Sequence, residues 1–305
     1  MSIVCSLYFG ESSSAKDFLQ SQVPGSWGNI RNTGIQTATM TSRRVAVRKF
    51  VIRVFIGRVR FEENTMTIAL VTGGSAGIGA AVCRLLAEKG SKVAICDINA
   101  EFGEALAKEI EGRFIYCDVS SLASVESAFK TCCDELGTPD YAHLNAGIMT
   151  VPTNTPYIAI EDLTEDQYHK IVGINLSGVF HGMKTALPLM REKGGGITLT
   201  ASTAGLSVVS VDPMYTATKY AVIGFGRAVS AANEGSSVRI NVICPGVTDT
   251  QIVPDEYRAP EFNVMSVEVM AAEIVDLLHN GENGEVRVKN AAEKAAFAVG
   301  LPDLS

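Results

Sequence analysis

Two polar side chains in the second half of the chain have the types and the spacing that proton transfer requires. Tyr215 and Lys219 lie four residues apart in "MYTATKYAVIGF", which has helical spacing, so both side chains should share one helix face. An ammonium about 4 Å from a phenolate attracts it by about 4 kcal/mol at an effective dielectric of about 20. Such an attraction would bring the pKa of Tyr215 from about 10 towards neutrality. The pair therefore predicts a tyrosine that acts as acid and base near neutral pH.

A serine hydroxyl is expected beside this pair. Ser202 ends the apolar stretch "GITLTAS", and ligands of α/β proteins collect where parallel strands end. A hydroxyl at that point could hydrogen-bond a substrate oxygen on which charge develops. Without the surrounding context, a helix-surface tyrosine and a strand-end serine cap are the simpler interpretation. Asp212, three residues before Tyr215, could contact a polar group of the substrate.

The sequence "ALVTGGSAGIGAA" at residues 69–81 places a glycine-rich turn between two regular elements. "TIALVT" before it has the pattern of a buried strand, and "GIGAAVCRLLAEKG" has that of a helix ending on Gly90. In this context Gly73 permits a tight turn, Gly77 a close approach of a pyrophosphate, and Gly79 packing of helix on strand. The helix N-terminus then offers N–H groups and a positive dipole end to phosphates. Because the lysine of a P-loop is missing, the turn indicates a dinucleotide rather than a nucleoside triphosphate.

The next strand, "KVAICD", ends on Asp97, eighteen residues after Gly79. A carboxylate at this position can accept hydrogen bonds from both ribose hydroxyls of the adenosine half and would repel a 2′-phosphate. Ala76 and Ile98, the expected neighbours, offer no cation for such a phosphate. The sequence therefore predicts NAD rather than NADP.

The elements that must position these residues follow a regular alternation from Met66 onwards. Apolar runs of strand length alternate with stretches of helical spacing, which indicates βαβ units. The expected fold is a doubly wound parallel sheet, Rossmann-like, with about seven strands and helices on both faces, over residues 66–305. The expected strands are "TIALVT", "KVAICD", "FIYCDV", "YAHLNAG", "GITLTAS", "VRINVICPG" and "EVRVKN".

Residues 1–65 have a different composition, with nine Lys or Arg and four Asp or Glu, whereas the whole chain has a net charge of −7. We interpret them as a basic, poorly structured N-terminal extension. Three explanations stay open: sequence upstream of a start at Met66, an organelle-targeting segment, and a contact with a membrane surface or partner through "VRKFVIRVFIGRVRF". The expected location is therefore cytoplasmic, or mitochondrial if this segment directs transit.

Composition argues against several other classes of protein. The acidic main part argues against nucleic-acid binding, and the sequence has no apolar run of 18 residues that would predict a transmembrane helix. The seven cysteines contain no C-x-x-C pair, which favours reduced, buried thiols. The four histidines lack metal-ligand spacing, so no metal site is expected.

Together these motifs make the chain resemble the short-chain dehydrogenase/reductase family over residues 67–290. The family's T-G-x-x-x-G-x-G pattern matches Thr72 to Gly79, and its N-A-G motif matches residues 145–147. Its serine, tyrosine and lysine match Ser202, Tyr215 and Lys219, and its helical asparagine matches Asn175 in "IVGINLSGVF". The resemblance implies an NAD-dependent oxidoreductase acting on a secondary alcohol or ketone. An NADPH-dependent carbonyl reductase and a non-catalytic NAD-binding sensor or scaffold stay open as alternatives.

The resemblance also implies a role for each matching residue. Tyr215 exchanges the proton of the substrate hydroxyl, Lys219 lowers its pKa and holds the nicotinamide ribose, and Ser202 hydrogen-bonds the substrate oxygen. Asn175 supports a water that relays the proton. The implied cofactor-binding residues are Thr72, Gly73, Ser75, Gly77, Ile78, Gly79, Asp97, Asp118, Val119, Asn145, Ala146, Gly147, Tyr215, Lys219, Pro245, Gly246, Thr248 and Thr250.

The chain departs from the common family pattern in three places. Leu144 replaces the first asparagine of N-N-A-G, the segment between Gly147 and Asn175 is a few residues longer and could border the substrate pocket, and the C-terminus lacks a glycine-rich ending. The family's tetramer contact is therefore in doubt, whereas a homodimer through the helices carrying Asn175 and Tyr215 is expected. Candidates for an apolar pocket wall, or for core packing, are Met149, Met214, Val247 and Ile252.

Overall fold

The computed structural model describes residues 66–156, 158–259 and 262–301, together with the backbone of three short strands before residue 66. The chain divides into two compact units, Met1–Met66 and Thr67–Ser305. In the first unit, β1 (Thr37–Ala38), β2 (Phe50–Phe55) and β3 (Arg58–Glu63) form an antiparallel sheet in that order. Most of "VRKFVIRVFIGRVRF" lies in β2 and β3, and the three explanations of residues 1–65 stay predictions.

The second unit contains a sheet of eight strands. They are β4 (Ile68–Thr72), β5 (Lys92–Asp97), β6 (Arg113–Tyr116), β7 (Tyr141–Leu144), β8 (Gly195–Thr200), β9 (Val238–Pro245), β10 (Val286–Lys289) and β11 (Phe297–Ala298). The first seven correspond to the seven expected strands and pair in parallel, while β11 pairs antiparallel with β10. The eighth strand was not predicted, because two residues are too few to give a periodic signal.

Strand order across the sheet is β11-β10-β9-β8-β7-β4-β5-β6, so the direction of the connections reverses between β4 and β7. Thr72 at the end of β4 lies opposite Leu144 at the end of β7. At such a switch point the loops on the two sides diverge and leave a crevice beyond the carboxyl ends of the strands. The glycine turn after β4 and the segment after β7 therefore border the same crevice.

Seven α-helices connect these strands. They are α1 (Gly77–Glu88), α2 (Ala100–Glu109), α3 (Leu122–Glu135), α4 (Glu165–Val172), α5 (Gly178–Met190), α6 (Pro213–Ala232) and α7 (Val267–Asn280). Side-chain oxygens of Asn99, Ser121, Thr164, Asp212 and Ser266 cap the N-termini of α2, α3, α4, α6 and α7. These caps satisfy N–H groups that have no acceptor inside the helix.

Two apolar clusters lie on opposite faces of the sheet, which explains why the strands read as nearly continuous apolar runs. Leu70 belongs to the cluster that packs against α3, α5 and α6, whereas Val71 belongs to the cluster that packs against α1 and α7. Successive residues of β4 are thus both fully buried, on different faces. The doubly wound fold with helices on both faces is confirmed.

Candidate active site

A cavity of about 540 Å³ opens at the carboxyl edge of the sheet. Its walls come from the segments that follow β4, β5, β6, β7, β8 and β9, and from the first turns of α6. Most of the residues expected to act on substrate or cofactor line it. Thr72, Gly79 and Asn175 do not, and each of them instead holds cavity-lining segments in place.

The glycine turn adopts a backbone that other residues would strain. Gly73 and Gly77 have φ angles of +62° and +53°, in the left-handed region. A Cβ on Gly79 would lie 2.0 Å from the carbonyl oxygen of Gly73, so only glycine allows α1 to start this close to the turn. Ala76, the N-cap of α1, makes no side-chain cap. The first N–H groups of α1 therefore have no partner inside the helix, and Gly77 and Ile78 of this turn line the cavity, which suits binding of a pyrophosphate.

Polar side chains connect the glycine turn to the segment after β7. The hydroxyl of Thr72 accepts hydrogen bonds from the N–H groups of Asn145 (3.0 Å) and Ala146 (3.4 Å). The Asn145 amide donates to the carbonyl oxygen of Gly73 (3.2 Å). Since both segments are loops, these bonds fix the width of the crevice between them.

Thr200 extends this network under the cavity floor. Its hydroxyl donates to Oδ1 of Asn145 (3.2 Å) and lies 3.3 Å from Nε2 of the fully buried His143. Burial lowers the pKa of His143 to about 3, so this histidine is neutral and packed. Within the described residues no three His, Cys, Asp or Glu side chains come together to hold a metal ion.

Asp97 lies at the far end of the cavity, beside Ile98 and Phe102. Its Oδ2 accepts a hydrogen bond from the N–H of Ser75 (3.0 Å) and its Oδ1 accepts one from Asn99 (3.0 Å). These bonds orient the carboxylate and connect it to the glycine turn. Asp97 thus lies in the same cavity as the glycine turn, and the two together fit a nicotinamide dinucleotide.

Ser202, Tyr215 and Lys219 line one wall of the same cavity, as their spacing predicted. Ser202 caps the short turn that follows β8, and α6 carries the other two side chains. The hydroxyl of Ser202 faces the phenol of Tyr215 and lowers its pKa. The Lys219 ammonium lies 5.5 Å from the centre of the Tyr215 ring.

The sequence predicted a lowered pKa for Tyr215. This prediction is wrong, because the groups of the protein around Tyr215 raise its pKa. Burial has the largest effect and raises this pKa above 10, and the nearby Asp212 carboxylate raises it further. Lys219 donates to the backbone carbonyl of Thr200 (3.0 Å), so its ammonium is directed at a strand end rather than at the phenolate. The spacing correctly predicted that the two residues share one helix face. It could not predict how deeply Tyr215 is buried, and burial has the largest effect on its pKa.

Lys219 is itself 3% exposed, and burial lowers its pKa to about 8. A buried ammonium loses its hydration, and a single carbonyl replaces only part of it. Lys219 thus has a pKa close to physiological pH.

Asn175 lies in a five-residue π-helical turn, Gly173–Ser177, between α4 and α5. Its Oδ1 accepts from the N–H of Ile148 (2.8 Å), and its Nδ2 donates to the carbonyl of Ile148 (2.9 Å) and to Thr218 (3.2 Å). Asn175 is 1% exposed, and both polar atoms of its side chain are hydrogen-bonded. It positions the segment after β7 against α6. No sequence pattern predicted the π turn, a feature that is frequent at functional sites.

Asp212 does not line the cavity that holds Tyr215. Its Oδ1 accepts from the N–H of Tyr215 (2.9 Å) and from the hydroxyl of Thr150 (2.5 Å), and its Oδ2 accepts from the N–H of Thr150 (2.9 Å). With both oxygens bonded to protein, Asp212 caps α6 and anchors the loop after β7. The contact with substrate that the sequence suggested is therefore not supported.

Three of the four candidates for an apolar wall, Met149, Val247 and Ile252, line the cavity. Met214 instead lines a small neighbouring pocket with Asp212. Sequence reasoning missed a further part of the wall, formed by Val209, Val211, Gln251, Val253, Pro254 and Tyr257. The only available signal was their position after expected strand ends, because side chains of these types occur equally often outside pockets.

Comparison with known proteins gives the family. Residues 67–261 match the family model described as short chain dehydrogenase. The chain is 34% identical over 236 residues to the short-chain dehydrogenase reductase ATA1 of Arabidopsis thaliana, covering 75% of this chain and 84% of that protein. The chain belongs to the short-chain dehydrogenase family, and it is an oxidoreductase of the kind that binds a nicotinamide dinucleotide.

Two further matches cover most of the second unit. The 15-hydroxyprostaglandin dehydrogenase [NAD(+)] of Bos taurus is 37% identical over 199 residues, which is 61% of this chain and 70% of that protein. The solved structure of 3-ketoacyl-(acyl-carrier-protein) reductase from Brucella melitensis, complexed with NADH, superposes with a TM-score of 0.68 at 24% identity. The superposition covers 74% of this chain and 97% of the reductase chain, and it supports the fold alone.

Proposed function

We propose that this protein is an NAD-dependent dehydrogenase of uncharged, largely apolar secondary alcohols, with Tyr215 as the general acid and base. The observation that carries the proposal is the placement of Ser202, Tyr215 and Lys219 on one wall of a cavity whose other end holds Asp97. Substrate and cofactor can thus meet in one cavity, as direct hydride transfer requires.

The protein's own groups supply the proton steps. The Tyr215 phenolate takes the proton of the substrate hydroxyl, while Ser202 donates a hydrogen bond to the substrate oxygen as negative charge develops there. The bound nicotinamide dinucleotide supplies the hydride acceptor. The glycine turn and Asp97 would hold its adenosine half, and Lys219 and Thr248 would hold its nicotinamide half.

The surroundings of Asp97 favour NAD over NADP. Lys219, on the opposite side of the cavity, is the single Lys or Arg among its described lining residues. A 2′-phosphate beside the fixed Asp97 carboxylate would meet a like charge without compensation. Since cells generally keep NAD oxidised, this preference points to alcohol oxidation as the working direction.

Removing the negative charge of Asp97 tests this preference. We expect Asp97→Asn to reduce the ratio of NADH to NADPH affinity by about 10- to 100-fold, because the like-charge repulsion disappears. Fluorescence titration of the reduced nicotinamide with each cofactor measures the ratio. Asp118→Asn changes a second cavity-lining carboxylate and serves as control. An unchanged ratio in Asp97→Asn would remove the charge of Asp97 from cofactor selection.

The substrate end of the cavity supports an apolar alcohol. Six of its lining residues have apolar or aromatic side chains: Met149, Val209, Val211, Ile252, Val253 and Tyr257. The charged lining residues are Asp97, Asp118 and Lys219, and all three belong to the expected cofactor contacts. A charged substrate would find no partner for its charge among these described residues and would pay the desolvation cost.

A titration with NADH and NADPH, followed by a panel of secondary alcohols with the preferred cofactor, tests the proposed function. Reduction of NAD that depends on an uncharged alcohol supports it. Preference for NADPH with ketone reduction would favour the carbonyl reductase, whereas tight NADH binding without turnover across the panel would favour a sensor or scaffold.

We also propose that the protein forms a homodimer through α5 and α6. Phe180 on α5 is 46% exposed and Tyr220 on α6 is 47% exposed, and the Phe180 ring packs edge-on against Phe225. Apolar surface of this kind is typical of subunit contacts. Light scattering should give a dimer for the wild type and a monomer for Phe180→Glu; an unchanged mass would exclude this face.

No described helix is long and apolar enough to cross a membrane. Mass spectrometry of the native N-terminus would distinguish the cytoplasmic from the mitochondrial expectation.

A further inference from the structure

Two loops that are far apart in sequence meet at the outer edge of the cavity. The first, residues 151–156, belongs to the long segment after β7 and is called the strap. The second, residues 250–258, follows β9 and is called the lid. Thr153 in the strap donates a hydrogen bond from its hydroxyl to the carbonyl oxygen of Gln251 in the lid (2.7 Å).

Asn154 makes the more specific contact between the loops. Its Nδ2 donates to Oδ2 of Asp255 (2.9 Å), and its Oδ1 accepts from the N–H of Asp255 (3.0 Å). The backbone of Asn154 is left-handed, with φ of +63°, a conformation that asparagine tolerates better than most residues. The strap thus turns so that both ends of one amide bind one lid residue.

The lid forms part of the substrate wall. Ile252, Val253, Pro254 and Tyr257 line the cavity, whereas Asn154 and Thr153 do not. Arg258 fixes the base of the lid through Asp249 and the carbonyl oxygen of Thr250 (2.8 Å). It also lies 3.5 Å from Asp255. The outer part of the lid therefore depends on the strap for its position, and Asp255 connects the two anchors.

We propose that Asn154 is a positioning residue that holds the lid over the substrate end of the cavity and so limits the size of the alcohol that fits. This inference rests on the proposed function. The hydrogen bonds of Asn154 to Asp255 are exposed, and exposed bonds open at low cost, so the lid can release and admit substrate. Loss of the Asn154 amide should loosen the apolar wall without touching the proton-transfer residues.

Asn154→Gly is the decisive variant, because glycine keeps the left-handed backbone without strain and removes only the side chain. We expect the KM for cyclohexanol to rise by about three- to tenfold with kcat nearly unchanged, since the loss concerns positioning. The discrimination against the bulkier 2-decalol, measured as the ratio of kcat/KM values, should fall by a similar factor. Amide hydrogen exchange of residues 251–258 should accelerate.

Two further variants make the test specific. Asn263→Gly replaces the same residue type in the same left-handed conformation, with φ of +48°, and is the matched control. The exchanged pair Asn154→Asp with Asp255→Asn can form both hydrogen bonds: the bond between the side chains has its donor and acceptor reversed, and the backbone N–H at position 255 still donates to the side chain at position 154. It should restore the wild-type KM and exchange rates, whereas Asn154→Asp alone should not, because two carboxylates would then face each other.

Equal KM values and equal exchange rates in wild type and Asn154→Gly would overturn the inference, as would failure of the exchanged pair to rescue. If the wild type oxidises neither alcohol nor any other secondary alcohol, the proposed function fails. The exchange rates of the lid, measured in wild type, Asn154→Gly and the exchanged pair, still decide whether Asn154 holds the lid.

Discussion

Replacing Tyr215 by phenylalanine is expected to reduce kcat for alcohol oxidation by about 10³- to 10⁴-fold, because the substrate hydroxyl loses the group that takes its proton. The ring stays and continues to fill the wall of the cavity, so NADH binding should remain close to wild type. Stopped-flow or steady-state measurement of NADH formation, together with fluorescence titration of NADH, separates the two effects. Tyr168→Phe is the matched control, because it removes an exposed hydroxyl that lies outside the cavity.

The pH dependence gives this prediction a second readout. Burial raises the pKa of Tyr215 above its usual 10, and the Ser202 hydroxyl lowers it by less. Only the phenolate accepts a proton, so kcat/KM for oxidation should increase with pH on the acidic side of that pKa, and reduction should show the opposite trend. The Tyr215→Phe variant should lack this dependence. Wild-type activity that is flat between neutral and alkaline pH, or a phenylalanine variant with full turnover, would exclude Tyr215 as the acid and base.

Lys219→Met should abolish most turnover and stabilise the protein at pH 7. The pKa of Lys219 is about 8, against an ordinary value of 10.5, so keeping the ammonium buried at neutral pH costs on the order of 3 kcal/mol. Methionine has a similar length and no charge, but it leaves the Thr200 carbonyl without its donor. We therefore expect a net gain of about 1–2 kcal/mol in the free energy of unfolding, together with a fall in kcat of about 100-fold or more.

The pH window of this gain follows from the two pKa values. Below pH 8 Lys219 is charged in both the folded and the unfolded chain, so the full cost is present. Between about 8 and 10.5 it is neutral when folded and charged when unfolded, so wild-type stability rises with pH relative to the variant. The difference between the two proteins should therefore shrink as pH increases through this range.

Urea unfolding of wild type and variant at several pH values measures this difference. Lys170→Met, which replaces an exposed lysine, should change stability by no more than about 0.5 kcal/mol at any of them. A Lys219→Met protein that is less stable than wild type at pH 7 would show that the buried ammonium is better compensated than its single bond to Thr200 indicates.

Local sequence patterns predicted most of the fold. The alternation of apolar runs and helical stretches gave seven parallel strands and helices on both faces, since burial of both sheet faces leaves a direct mark on composition. The strand–turn–helix at Gly73 to Gly79 was equally readable, because its backbone needs glycine at fixed places. The matches to Ser202, Tyr215 and Lys219 placed these side chains on one cavity wall, and their catalytic roles stay predictions.

The sequence by itself thus determined the seven parallel strands, the family that the chain resembles and many of the residues that line one cavity, whereas β11 and the π turn left no sign in it. Tertiary structure alone decided how those residues are held and what protonation they favour. Asn175 bonds to Ile148, Asp212 to Thr150 and Asn154 to Asp255, over separations of 27, 62 and 101 residues. Burial reverses the expected direction of the Tyr215 pKa. The physical reason is that desolvation and long-range hydrogen bonds depend on everything packed around a group, whereas propensity and periodicity depend only on its neighbours along the chain.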